Sequence, residues 1–254
     1  MNPHPPLLLL HGVTMSSAVW NDVTPLLADR FDVIVPTAAG HRGGPRLSGH
    51  ATIRALTDAV ERHLDEEGLE TVHIAGNSMG GWMAIELARR GRANSVCAFS
   101  PAGLWTAGAA HDAGRDTLRR TKRLADATRH VMPHLLRYRA VRRLAMADIA
   151  INGDRLSVEQ AVHTFKDLVG CTAADDLLDT SEELQPFERL PCPVTVAWSV
   201  EDRIFPPGSF VDIARHRLPG ARIMELPDVG HVPMIDDPDL VANTIIASIL
   251  LSAQ

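Results

Sequence analysis

Largely apolar runs of four to six residues recur along the chain at 7–10, 32–35, 71–75, 95–100, 194–199 and 222–226, rich in Val, Leu and Ile. Runs that stay apolar instead of alternating with polar residues mark strands buried on both faces, the condition of a parallel sheet covered by helices. The segments between them carry the helical period. Ile53, Leu56, Val60 and Leu64 repeat at spacings of three and four, and Gly68 supplies a left-handed stop. "WMAIELARRG" after Gly81 predicts a second crossover helix ending at Gly91, and "SFVDIARHRLPG" a third. A fourth lies in "DPDLVANTIIASILL", with Asp237 as N-cap and Pro238 at the first helical position.

The alternation predicts an α/β fold: a doubly wound, mostly parallel six-stranded sheet with helices on both faces. It fails between 103 and 189, where helical patterns follow one another without a strand. There "SVEQAVHTFKDLVG" carries a capping box, Ser157 with Gln160, and stops at Gly170. The expected organisation is a core of 1–102 and 190–254, with a helical cap of 103–189 inserted after the fourth strand.

At 254 residues the chain can bury a large single core. Its net charge of -6, with acids and bases interspersed, gives no electrostatic case for nucleic acid or an anionic membrane surface. A small-molecule substrate is the expected partner, and a homodimer is compatible with the sequence. The four leucines at 7–10 are too short a run for a signal peptide or membrane span. Cys97, Cys171 and Cys192 have no CxxC spacing, which argues against a disulfide framework or zinc ribbon and for a cytoplasmic protein. His130 and His134 are four apart, but Pro133 between them speaks against a metal-binding helix.

The chemistry centres on "IAGNSMGG" at 74–81. A nucleophilic serine needs exposure, a base for its proton and donors for the oxyanion that forms. A G-x-S-x-G turn between strand and helix strains the serine backbone and lifts the hydroxyl to the carboxyl edge of the sheet, so the flanking residues, Gly76 and Gly80, must lack bulk. The oxyanion donors expected for Ser78 are the N–H of Met79 and that of Val13, in the loop "HGVT" after the first strand. The acid and base should follow later strands, in the order Ser, Asp, His. Asp202 in "SVEDRIFP" and His231 in "PDVGHVP" fit, with Glu201 and Asp228 as rival acids. Of the twelve histidines, His11, His41, His63 and His73 are read as structural.

With these motifs in register, HGV at 11–13, GNSMG at 76–80, Asp202 and His231, the chain resembles the α/β-hydrolase family over nearly its whole length. The resemblance implies Ser78 as nucleophile, His231 as base oriented by Asp202, and Val13 and Met79 as backbone donors. Many members begin with an extra hairpin. Here the His-Gly loop is reached at His11, as in the compact branch of plant methylesterases and hydroxynitrile lyases. Thr37 stands where the family commonly has an aspartate, which puts a turn hydrogen bond there in question.

The implied activity is hydrolysis of a small carboxylic ester or lactone, with no metal, nucleotide or organic cofactor called for. Neither G-x-G-x-x-G after the first strand nor a P-loop occurs. The same residues would also serve a C–C hydrolase or a hydroxynitrile-lyase-like enzyme, and from another class a ligand-sensing regulatory protein with a vestigial triad. Trp105 is a candidate pocket wall. Between Arg115 and Arg143 ten basic residues face two acidic ones, so one arginine is a candidate ligand for a substrate carboxylate.

Overall fold

The computed structural model describes residues 4–105 and 109–251; residues 106–108 of the expected insertion lie outside them. Six strands form one sheet: β1 (Pro6–Leu10), β2 (Asp32–Ile34), β3 (Val72–Asn77), β4 (Ala93–Phe99), β5 (Val194–Ser199) and β6 (Arg222–Leu226). Their order is β2-β1-β3-β4-β5-β6 and every pairing is parallel, with Leu8 opposite both Ile34 and Ile74. The order reverses between β1 and β3, which creates a crevice at the carboxyl ends of the strands.

The period of two explains why β1 is apolar throughout. Leu8 and Leu10 enter the core on one face of the sheet, Leu7 and Leu9 the core on the other, and all four are buried. On the first face lie α2 (Ile53–Glu66), α3 (Met79–Arg89) and α9 (Ser209–Arg217); on the second lie α1 (Thr24–Leu27) and α11 (Pro238–Leu251). The expected stop and caps are present. Gly68 has φ +70, the Asp237 carboxylate accepts the Leu240 N–H at 2.9 Å, and both halves of the Ser157–Gln160 capping box form.

Between β4 and β5 the regular elements among the described residues are helices, joined by irregular segments: α4 (Ala109–Thr128), α5 (Met132–Leu135), α6 (Arg139–Ala145), α7 (Val158–Gly170) and α8 (Ala174–Leu178). Two boundaries differ from the sequence reading in a way that matters. β3 continues to Asn77 and α3 already begins at Met79, not after Gly81, so a single residue, Ser78, makes the turn between them. Two four-residue helices, α1 and α10 (Pro233–Asp236), were not foreseen, since neither is long enough to show a 3.6-residue period. Among the described residues no helix is long and apolar enough to cross a membrane.

Candidate active site

Ser78 has φ 54 and ψ -116, a conformation that costs a non-glycine residue about 1–3 kcal/mol. The surroundings hold it there. Its N–H donates to the Phe99 carbonyl at 2.9 Å, and its carbonyl accepts from Trp82 at 3.1 Å and Ala102 at 3.0 Å. The turn is so tight that a Cβ on Gly76 would lie 2.2 Å from the Gly80 carbonyl oxygen, and one on Gly80 would lie 2.3 Å from the Leu10 oxygen. Both glycines are therefore required by backbone-to-backbone approach.

Asp202 follows β5 and is buried, whereas its rivals Glu201 and Asp228 are exposed. One carboxylate oxygen accepts the N–H groups of Ile204 at 2.8 Å and Phe205 at 2.7 Å; the other lies 2.7 Å from His231 Nδ1. An ionised carboxylate only accepts, so Nδ1 carries the proton and Nε2 keeps its lone pair. The Phe205 ring packs edge-on to His231 with centroids 5.2 Å apart. No hydrogen bond joins Ser78 to His231 among the described residues, but both line one cavity, and such contacts commonly tighten only with substrate bound.

Three supporting side chains had no sequence signal, because most of their bonds join residues far apart in the chain. Asn77 Nδ2 donates to the backbone oxygen of His231 at 2.8 Å and to that of Phe99 at 3.2 Å, tying the histidine loop to the serine turn. Buried Asp236 accepts from the N–H groups of Gly230 (2.8 Å), Ile151 (3.1 Å) and Asn152 (2.6 Å), which fastens that loop to the insertion. Asp167 on α7 accepts from Ser16 Oγ at 2.5 Å and Arg42 Nε at 2.7 Å, fastening the insertion to the loops after β1 and β2.

The loop after β1 is set by His11. Its Nδ1 bonds the Gly12 carbonyl at 2.8 Å and its Nε2 accepts the Ala38 N–H at 2.9 Å, an arrangement that requires the neutral ring. Burial, reinforced by neighbouring His41, pushes the imidazole down to about 3. Neither the Val13 nor the Met79 N–H has a hydrogen-bond partner among the described residues. Thr37 is not idle: its hydroxyl accepts from the Ser17 N–H at 3.1 Å and donates to Ser17 Oγ at 3.0 Å, so a turn bond forms without a carboxylate.

Two cavities meet at Ser78. The larger, about 130 Å³, is bounded by Ser78, His231 and Gly12 below and by apolar residues of the insertion such as Leu124, Met146 and Phe165. The smaller, about 40 Å³, is bounded by Ser78, Met79 and the rings of Trp82, Trp105 and Phe205. Val13 borders both. Trp105 lies edge-on to Trp82 at 5.4 Å and donates its indole N–H to the Glu182 carbonyl at 3.2 Å. Arg115 is the residue of the basic stretch that reaches this smaller cavity, where its Nε also bonds the Leu178 carbonyl.

A parallel sheet in this order, with a strained serine between β3 and α3 and an Asp–His pair after β5 and β6, defines a class of enzyme. The chain belongs to the α/β hydrolase family, whose model matches residues 7–244, and it is a hydrolase. Epoxide hydrolase EphH of Mycobacterium tuberculosis is 38% identical over 199 residues, covering 75% of this chain and 91% of that protein. The pimeloyl-[acyl-carrier protein] methyl ester esterase of Aromatoleum aromaticum is 27% identical, covering 92% of this chain and 94% of the other. A thermophilic esterase from Thermogutta terrifontis shares the fold with a TM-score of 0.75 at 23% identity, over 98% of this chain and 91% of that one.

Proposed function

We propose that the protein cleaves a small carboxylic ester or lactone through an acyl-enzyme on Ser78, with the helical insertion as a cap over the site. The observation that carries this proposal is the strained Ser78 turn on the same cavity as His231, whose Nδ1 is bound by Asp202 at 2.7 Å.

In the first step His231 Nε2 takes the Ser78 hydroxyl proton as Oγ bonds the carbonyl carbon. The Val13 and Met79 N–H groups receive the oxyanion; loss of one such donor costs about 3–4 kcal/mol of barrier. The carbon–alkoxide bond then breaks and Nε2 returns its proton to the leaving oxygen. Water repeats the sequence: it gives a proton to His231 and bonds the acyl carbon, Oγ leaves and regains the proton, and the acid departs. No buried cation is needed for this chemistry.

One relative is an epoxide hydrolase, and the nucleophile itself argues against that reaction here. Attack of a serine oxygen on an epoxide carbon would leave an ether, with no carbonyl for water to attack and no oxyanion for the two amides to hold. Ring opening also needs a proton donor. The chain's one tyrosine, Tyr138, is half-exposed and stacked under Arg137, away from both cavities. Hydrolysis of p-nitrophenyl acetate tests the ester assignment: turnover should vanish in Ser78→Ala, and an inactive wild-type protein would refute it.

A further inference from the structure

The two cavities that meet at Ser78 are not equivalent with respect to His231. The histidine and the following Val232 border the larger cavity, whereas the smaller is bordered by Met79 and, between it and the histidine, by Phe205. In ester cleavage the leaving oxygen must receive its proton from the base, so the alcohol lies on the base's side of the acyl carbon. The acyl chain then lies on the other side.

We infer that the small aromatic cavity holds the acyl group and the large apolar cavity holds the alcohol, so that the substrates are short-chain acyl esters of bulky apolar alcohols. This rests on Ser78 as nucleophile and His231 as base, and it adds the substrate class.

Size sets the limits. A water-sized group needs about 10–15 Å³ of such space. At about 40 Å³ the small cavity takes about three such groups beyond the carbonyl carbon, which admits acetyl to butyryl chains. At about 130 Å³ the large cavity takes about ten, the size of a bicyclic aromatic alcohol. Trp82, Trp105 and Phe205 are all nearly fully buried and pack on one another, so the small cavity has little freedom to stretch.

The Ser78 proton passes through His231 to the departing alkoxide in the large cavity, and the acyl group stays bonded to Oγ in the small one. Water for deacylation enters through the space the alcohol has left, again beside His231.

The test is a two-way ester series on the full chain. With 1-naphthol fixed, the acyl group runs from acetate through butyrate and hexanoate to octanoate. With acetate fixed, the alcohol runs from methanol through benzyl alcohol to 2-naphthylmethanol, whose leaving basicities are close. A methylene that a pocket cannot take costs roughly 10–200-fold in kcat/KM. The expected result is a fall of more than about 100-fold from butyrate to octanoate, and a rise from methyl to naphthylmethyl acetate. Trp105→Ala should restore octanoate; should that protein not fold, Leu177→Ala widens the same cavity. Leu124→Trp, which narrows the larger cavity, should lower kcat/KM for naphthylmethyl acetate by a larger factor than for methyl acetate; equal losses on the two esters would contradict the placing of the alcohol there.

Octanoate cleaved as well as acetate by a protein whose Ser78 is labelled by a fluorophosphonate overturns the division of the substrate and spares the nucleophile. No ester cleavage and no labelling overturns both.

Discussion

Asp236 accepts the Gly230 N–H at 2.8 Å, and Gly230 stands immediately before His231. The same buried carboxylate takes the Ile151 and Asn152 N–H groups, so one side chain joins the histidine loop to the insertion. The Val232 N–H adds a bond to the Ile149 carbonyl at 2.8 Å on the far side of the histidine. His231 is thus clamped from both sides by residues 149–152, and movement of that segment would reach the proposed base directly.

Asp236→Asn would turn an NH₂ toward one or more of these three donors. Orphaning a buried backbone N–H costs about 1–3 kcal/mol, and displacement of a catalytic group by about 1 Å costs on the order of 100-fold in rate. The expected outcome is a loss of that order in kcat with KM little changed, together with a Tm lowered by several degrees. Steady-state kinetics and thermal denaturation measure the two. Unchanged kcat would mean that the loop holds its own shape.

The elbow glycines should differ in tolerance. Gly76→Ala places a methyl 2.2 Å from a backbone oxygen, with no flexible side chain to yield, and should cost about 3 kcal/mol or more in urea denaturation. At Gly81 the nearest atoms are 3.1 Å away, one of them the Pro101 Cβ, so Gly81→Ala should be clearly milder. Equal losses at both positions would contradict this account of the turn.

Asp202→Asn tests the histidine's tautomer. The Asp202 oxygen that faces the Ile204 and Phe205 amides can remain an acceptor, while the group facing His231 Nδ1 becomes a donor. The ring must then present Nδ1 as acceptor and carry its proton on Nε2, where it cannot accept one from serine. A fall in kcat on the order of 10⁴-fold with stability nearly preserved is expected. A fall below tenfold would show that Asp202 does not set the tautomer.

His11 gives the acid limb of stability a defined sign. In the unfolded chain its pKa is near 6.5 and in the fold about 3, so between these values the unfolded state binds the extra proton. Stability is therefore unaffected above about pH 6.5 and falls as pH drops toward 3, by at most about 1.4 kcal/mol per pH unit from this group. His11→Asn should flatten that limb in chemical denaturation between pH 4 and 7, at some cost to stability at neutral pH. An identical slope in the variant would place the acid sensitivity elsewhere, His41 being the next buried imidazole with a lowered pKa.

The strands and long helices were legible because burial on two faces or one imposes a pattern on consecutive residues, as in Leu7–Leu10 and in the Ile53 to Leu64 series. The placement of Ser78, Asp202 and His231 at one edge of the sheet was legible because each follows a strand, where local sequence and chain order carry the signal. Asn77, Asp167 and Asp236 were not, since most of their hydrogen-bond partners lie between 22 and 154 residues away and nothing near them in sequence names those partners. The start of α3 was misread for a local reason. Gly80 and Gly81 are poor helix formers, yet here they lie in the first turn of the helix, because a side chain on Gly80 would meet the Leu10 oxygen at 2.3 Å and one on Gly81 would crowd Gly76 and Pro101.

Ser78 as the nucleophile is tested most directly by a fluorophosphonate. Intact mass should show one adduct per chain, peptide mapping should put it on Ser78, and both labelling and esterase turnover should be absent in Ser78→Ala. An adduct on another residue, or esterase activity that survives in Ser78→Ala, would contradict the account.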